Sequence, residues 1–333
     1  MPTRAPMQTD ISPHPPSCWI ITSGKAGMEN QALGLAEAMG LHPVLKRIQL
    51  RTPWRQLSPW LRVGLAHAAH TAGDDVSPPW PALAMGVGRQ SIPLVLHLRR
   101  ASQHHAQPTR VIQLQDPVID PKHFDWVVAP QHDQLNGPNV MATLGALHRI
   151  TPARVAEAVG DFSHLWQHLP PPHWVVLLGG NNGAYTLGAA QIQNITKQLQ
   201  ILHAQRGGSF LVTASRRTGA QHIAQWRAAM QNMPHYFYDG DGPNPYMAML
   251  GVAEALLVTC DSVNMLSEAA STGKPVYILL LAGHSAKFAR FHQSLIAGQH
   301  ARWFQLPLDL FQPRMLAEPE RVAALLKNKL GLA

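Results

Sequence analysis

The sequence predicts an α/β protein of two Rossmann-like, doubly wound parallel-sheet domains facing a cleft, and three observations carry that expectation. An apolar strand running through a glycine loop into a helix occurs at Trp19–Gln31, and the pattern restarts at Trp174. Strand, glycine turn and helix form the opening unit of a doubly wound domain. Between the two starts stands Pro170–Pro171–Pro172, the clearest linker signal in the chain. Its 333 residues also exceed what one core usually organises. The expected organisation is a leader over 1–17, an N-terminal domain over 18–169 and a C-terminal domain over 170–333. The last helix can cross back onto the first domain.

Composition bounds the function. At 46% hydrophobic and 14% charged residues the chain is globular. The net charge of +8 favours anionic partners: phosphorylated small molecules, nucleic acid or an acidic membrane. No lysine- and arginine-rich run interleaved with aromatics marks a nucleic-acid stripe, so nucleic acid is not expected. Cys18 and Cys260 form no CxxC pair, which argues against a disulfide framework or a cysteine zinc site. Met1–Ser17 is polar and proline-rich without an apolar core, unlike a signal peptide. The longest apolar run, Val276–Ala282, is strand-sized. A cytoplasmic protein is expected, with peripheral contact to an anionic inner membrane left open.

In the first half, Trp19–Thr22 reads as a strand leading into Ser23–Gln31 and a helix ending near Gly40. The loop is neither GxxxxGK[ST] nor GxGxxG. Val44–Leu50 is the next strand. It ends among Lys46, Arg47 and Arg51 rather than on a ribose-binding acid, which weakens a NAD-binding reading. Trp54–Ala69 has apolar residues at helical spacing, suiting core, membrane or acceptor. Leu83–Met85 is strand-like and opens at Gly86–Ser91 into a helix, where Arg89 and Ser91 suit an anion or a plain cap. Val111–Leu114 and Trp126–Val128 are strands followed at once by polar residues, where such folds place ligands. Asp116, His132 and Asp133 are therefore candidates for substrate contact or general base. Thr143–His148 reads as a last strand or turn, and Thr151–Pro172 as a helix and linker.

In the second half, Trp174–Leu178 feeds Gly179–Tyr185 and a helix from about Leu187 to Gln205. Phe210–Thr213 ends in Ser215–Thr218 and a helix through Trp226. Tyr236–Tyr238 leads to Asp239–Tyr246 and a short helix over 247–253. Ala255–Val258 and Pro275–Leu280 are buried strands around Thr259–Gly273, a short helix whose start carries Asp261, Ser262 and Asn264. These side chains satisfy free helix N–H groups, and a helix start at a strand's carboxyl end favours phosphate. The same pattern also suits an ordinary capped helix. Helices near 286–297 and 318–330 close the chain.

Three of these loops fall at strand carboxyl ends and so share one sheet edge. Gly179, Gly180 and Asn181 permit close backbone approach. Ser215, Arg216 and Arg217 offer a hydroxyl and two guanidinium groups for phosphate oxygens. Ser262 adds a second phosphate cradle, and Glu268 suits ribose hydroxyls. A nucleotide diphosphate fits this set. The chain lacks GxSxG, HExxH and EF-hand patterns, and no DxD-like pair stands where a diphosphate would need it, so no cofactor or metal is expected to be required.

Ser23–Gln31, Gly179–Asn181, Ser215–Thr218 and Thr259–Val276 together resemble the mitochondrial-fission ELM family in its proteobacterial branch, whose members are described as GT-B glycosyltransferases. The likeness runs from Trp19 to about Phe311. It implies two facing Rossmann-like domains with a nucleotide-sugar donor held mainly by the second, Glu268 on the ribose and Ser262 on phosphate. The loop carrying Ser23, Gly24, Lys25, Gly27, Asn30 and Gln31 would face the cleft from the acceptor side. The leading expectation is metal-independent transfer of a sugar from a nucleotide diphosphate to a lipid-linked or glycan acceptor. Glu29, Asp116 and Asp133 compete for the base. The alternatives are a non-catalytic nucleotide-sugar-binding or membrane-associated scaffold on the same fold, and a nucleotide-sugar epimerase carrying a bound dinucleotide.

Overall fold

Near-continuous apolar runs such as Trp174–Leu178 and Ala255–Thr259 are buried along their length. Strands of that composition form parallel sheets covered on both faces, and the computed structural model, describing residues 17–70 and 72–332, contains two of them. In the first half the order is β1 (Cys18–Thr22), α1 (Ala26–Ala38), β2 (Pro43–Arg47), α2 (Trp54–Leu57), β3 (Leu83–Val87) and α3 (Ile92–Ala101). It continues with β4 (Arg110–Leu114), β5 (Trp126–Pro130), β6 (Val140–Thr143) and α4 (Pro152–Phe162). The second half begins β7 (His173–Leu178), β8 (Tyr185–Thr186), α5 (Ala189–Arg206), β9 (Ser209–Ala214), α6 (Ala220–Met230) and β10 (His235–Tyr238). It proceeds through α7 (Tyr246–Val252), β11 (Ala255–Thr259), α8 (Val263–Ala270), β12 (Val276–Leu279) and β13 (Ala282–Gly283). The chain closes with α9 (Ala286–Ala297), β14 (Arg302–Trp303) and α10 (Glu318–Leu330).

The first sheet runs β2-β1-β3-β4-β5-β6 and the second β10-β9-β7-β11-β12-β14, all neighbours parallel. Each order reverses once, between β1 and β3 and between β7 and β11. Ligands of doubly wound sheets bind in the crevice at that reversal, outside the strand carboxyl ends. The reversals put the Ser23–Lys25 and Gly88 loops on one crevice, and Gly179–Gly180 with Thr259–Asp261 on the other. The expected leader lies, apart from Ser17, outside the described residues.

Two expectations change. Trp54–Ala69 is not one helix: α2 stops at Leu57, and a short 3₁₀ turn covers Leu65–His67. Pro59 has no N–H to continue the helix, and Gly64 sits at φ +61. Thr151–Leu169, expected at the end of the first domain, packs with the second. Val155, Val159 and Phe162 lean on the core built from β7 and β11, and a Cβ at Gly251 of α7 would meet Val155 Cγ1 at 2.7 Å. At the other end, Val322, Ala323 and Leu326 of α10 share a core with Ala32 and Leu35 of α1. No helix among the described residues is long and apolar enough to cross a membrane.

The crossover 144–150 is pinned from both sides. The Ala146 N–H donates to Ser267 Oγ of α8 (2.8 Å), and the Leu144 N–H to Glu318 Oε2 of α10 (2.9 Å). His148 on this strap is buried, neither ring nitrogen has a partner among the described residues, and burial pushes its pKa down to about 4. A base held below its ordinary 6.5 contributes stability above that value and loses it as pH falls toward 4. His148→Leu is thus expected to flatten the acid limb of stability between those pH values, read from urea midpoints at pH 7.5 and 5.

Candidate functional site

The site grows from one buried carboxylate. Asp261 stands two residues after Thr259, the last residue of β11, and its side chain has no exposed surface. Its Oδ2 accepts from the Gly180 N–H (3.0 Å) and pairs with Arg217 Nη2 (2.8 Å), while Thr259 Oγ1 donates to Oδ1 (2.7 Å). The Gly179 N–H donates in turn to Thr259 Oγ1 (2.8 Å). A carboxylate has acceptor sites enough for all three donors. One side chain thereby ties together the loops after β7, β9 and β11.

Both loop glycines are required by contact. A Cβ at Gly179 would collide with the Asp261 carboxylate, and one at Gly180 with the Arg217 backbone. Asn181 Oδ1 is spent on the Leu187 N–H (2.8 Å), shaping its own loop. Ser215 Oγ accepts from the Arg217 N–H (3.2 Å), and Thr218 bonds the Gly179 carbonyl. These contacts leave Arg216 exposed to solvent and only one edge of Arg217 engaged.

Next to this knot α8 begins. Ser262 caps it, its Oγ accepting from the Met265 N–H at 3.3 Å. Asn264, in the first turn, accepts from Gln31 Nε2 of α1 (3.1 Å), and Gln31 Oε1 accepts from Gln115 Nε2 (3.1 Å). Gln115 stands at φ +71, a conformation uncommon outside glycine. Gly27 completes the approach, since its Cβ would lie 3.0 Å from Asn264 Nδ2. The start of α1 therefore lies against the start of α8 across the cleft. Ser23 is partly covered, whereas Gly24, at φ +85, Lys25 and Asn30 are open to solvent.

One turn along α8, Glu268 Oε2 accepts from the Tyr246 hydroxyl (2.6 Å). Glu268 keeps some accessible surface, yet burial pushes its carboxyl from 4.5 up to about 7, the Tyr246 bond opposing that shift. A carboxyl shifted upward by burial in a cleft is a candidate for binding or catalysis.

The model of the family described as mitochondrial fission ELM1 matches residues 26–330. The chain belongs to the mitochondrial fission ELM1 family. It is similar to mitochondrial fission protein ELM1 of Arabidopsis thaliana, 31% identical over 239 residues, 65% of this chain and 55% of that protein. It thus spans about half the length of that relative. An uncharacterized Rickettsia prowazekii protein is 23% identical over 94% of this chain and 98% of its own length. Among solved structures, UDP-GlcNAc 2-epimerase from Neisseria meningitidis bound to UDP-GlcNAc superposes with TM-score 0.52 at 11% identity, covering 95% of this chain and 100% of that one. The Methanocaldococcus jannaschii UDP-GlcNAc 2-epimerase gives TM-score 0.52 at 11% identity, over 94% and 99%. The fold is GT-B.

In this ELM1-family chain the three expected bases differ in freedom. Glu29 is buried, and each of its oxygens accepts from Arg47 (2.9 and 3.0 Å), which turns the carboxylate toward the end of β2. Asp133 is paired with Lys287 of α9 and lies 3.8 Å from His132 Nε2, which makes it an interdomain contact. Asp116 gives one oxygen to the Val118 N–H (2.7 Å) and follows the cleft-spanning Gln115. Asp261, expected to touch the donor, is enclosed and acts through the loops it holds. Arg89 is joined by backbone to the Ser58 hydroxyl (2.7 Å), and Ser91 is buried against the Gly88 carbonyl (2.8 Å), which removes Ser91 as an anion ligand.

Residue-by-residue reading missed Tyr246, Gln115 and Lys287. Tyr246 lies 22 positions from its partner Glu268. Its only sequence signal is its place at the end of the polar loop after β10.

Proposed function

We propose that the cleft binds a nucleotide diphosphate sugar and transfers the sugar to a hydroxyl of a lipid-linked or glycan acceptor. The observation that carries this reading is the knot on Asp261, which sets two glycines, the half-engaged Arg217 beside the exposed Arg216, and a helix start around one crevice. Diphosphate oxygens would lie over Gly179, Gly180 and the α8 N-terminus, with Arg216 and the open edge of Arg217 neutralising their charge. Glu268 would accept from the ribose hydroxyls. Asp116 would take the proton as the acceptor oxygen attacks the anomeric carbon. The anomeric carbon–phosphate oxygen bond then breaks and the nucleoside diphosphate leaves, its charge met by the arginines and helix dipole without a metal.

Release of UDP or GDP from UDP- and GDP-linked sugars, and of CMP from CMP-linked sugars, supplied with soluble glycan or lipid-linked acceptors, tests transfer. Wild-type turnover that Arg216→Ala lowers by about 10²-fold is expected. Turnover indifferent to Arg216 would defeat the reading. The UDP-GlcNAc 2-epimerase likeness motivates a second reading, in which a nucleotide sugar returns with inverted stereochemistry; proton NMR of the same reactions separates the two.

Glu268 gives a pH signature. As an acceptor for hydroxyls it works ionised, so nucleotide affinity should rise as pH climbs through about 7. Stability runs the other way: a carboxyl raised from 4.5 contributes stability that is lost as pH rises from 4.5 toward 7. Glu268→Gln is expected to flatten the affinity profile and to melt above wild type at pH 8, with little difference at pH 4.5. Titrations and melts across that range read both effects.

A further inference from the structure

We infer that the loop 54–64 seats the N-terminal domain on an anionic lipid bilayer, with the mouth of the cleft at the headgroups. Leu57, Trp60 and Val63 on this loop are 48%, 59% and 71% exposed, a concentration of large apolar side chains on one short segment. The loop is not frayed chain. The Trp54 indole donates to the Val63 carbonyl (2.9 Å), and the Trp60 N–H to the Leu57 carbonyl (2.8 Å), so the exposed side chains are presented by a closed, tied structure. Tryptophan held this way suits the boundary between headgroups and acyl chains, where one part of the ring is apolar and one wet.

Charge selects the partner. Between Ala38 and Gln115 the chain carries nine lysines and arginines against two acidic residues, Asp74 and Asp75. Arg51 and Arg55 precede the apolar turn, both exposed, and neither side chain has an ion-pair partner among the described residues. Arg100 Nη1 donates to the Arg62 carbonyl (3.1 Å), which fixes a further cation at the far end of the loop. Apolar anchors with cations at both ends of their loop match an anionic lipid surface; a second copy of this chain would bring the same positive charge to itself.

Position ties the surface to the cleft. Ser58 Oγ donates to the Arg89 carbonyl (2.7 Å), just beyond the carboxyl end of β3, where the Gly88 loop meets α1. The docking face therefore borders the crevice into which an acceptor enters. Resting on the proposed transfer, this assigns the acceptor to the lipid-anchored class, its reacting hydroxyl reaching the cleft from the membrane.

Flotation of the full chain with vesicles of phosphatidylcholine plus phosphatidylglycerol, and with phosphatidylcholine alone, tests the docking. Binding to the anionic vesicles is expected, weakened by high salt and by Arg51→Gln/Arg55→Gln, and reduced about tenfold in Trp60→Ser/Val63→Ser. UDP thermal shift on the same variants should be unchanged, which keeps a failure of docking separate from a failure of the nucleotide site and shows that the variants are folded. Absence of the wild type from floated anionic vesicles, or flotation of Trp60→Ser/Val63→Ser equal to wild type, would overturn the proposal. So would a dimer that those substitutions split while lipid binding is absent.

Discussion

Asp261→Ala is expected to lower stability by about 2–3 kcal/mol and to abolish nucleotide binding. The substitution strips the acceptor from the Gly180 N–H and the Thr259 hydroxyl, both in the interior, and releases Arg217. Orphaned buried donors dominate the cost, because Arg217 is 39% exposed and can hydrate once freed. The functional loss should exceed the stability loss, since three loops lose their common tether at once. Asp261→Asn keeps the size and one acceptor, so a smaller loss of about 1 kcal/mol is expected. Urea unfolding gives the stability change, and a thermal-shift titration with UDP gives the binding. An Asp261→Ala protein that binds UDP like wild type would remove the knot from the account.

The second large effect is at Gly34, in the middle of α1. Glycine in a helix interior usually costs stability, so replacing it with alanine ordinarily gains about 1 kcal/mol. Here a Cβ would collide with the backbone carbonyl of His148 on the pinned crossover, and backbone cannot swing away as a side-chain end can. Gly34→Ala is therefore expected to destabilise by about 2 kcal/mol or more. It should also weaken nucleotide binding, because α1 and its N-terminus must shift relative to α8. Gly160→Ala in α4 is the matched control. Its added Cβ meets nothing within 4 Å, and a gain of about 0.5–1 kcal/mol is expected. Urea midpoints of the two variants should move in opposite directions.

Much of the fold is written in local pattern. Two strand–loop–helix starts and a run of apolar strands suffice for two parallel sheets, because strands covered on both faces have to be apolar throughout. The Gly179, Ser215 and Asp261 loops converge as strand carboxyl ends on one edge must. What lies beyond local pattern is the direction of individual side chains. Asp261 before a helix reads as a cap or ligand, yet it turns inward, and only the approach of Gly179 and Gly180 explains why. Gln31 and Asn264 meet from 233 positions apart. Helical spacing over Trp54–Ala69 is interrupted by one proline and one glycine, punctuation that outweighs periodicity. The amphipathic face of α4 says that it packs but not on which domain, and it chose the second.

Calorimetric titration of UDP and of UDP-, GDP- and CMP-linked sugars into the wild type and Glu268→Ala bears most directly on the nucleotide cleft. Saturable one-to-one binding of one of these ligands, weakened at least about tenfold by Glu268→Ala, is the expected result. No binding of any of them, or binding that Glu268→Ala leaves untouched, would contradict it.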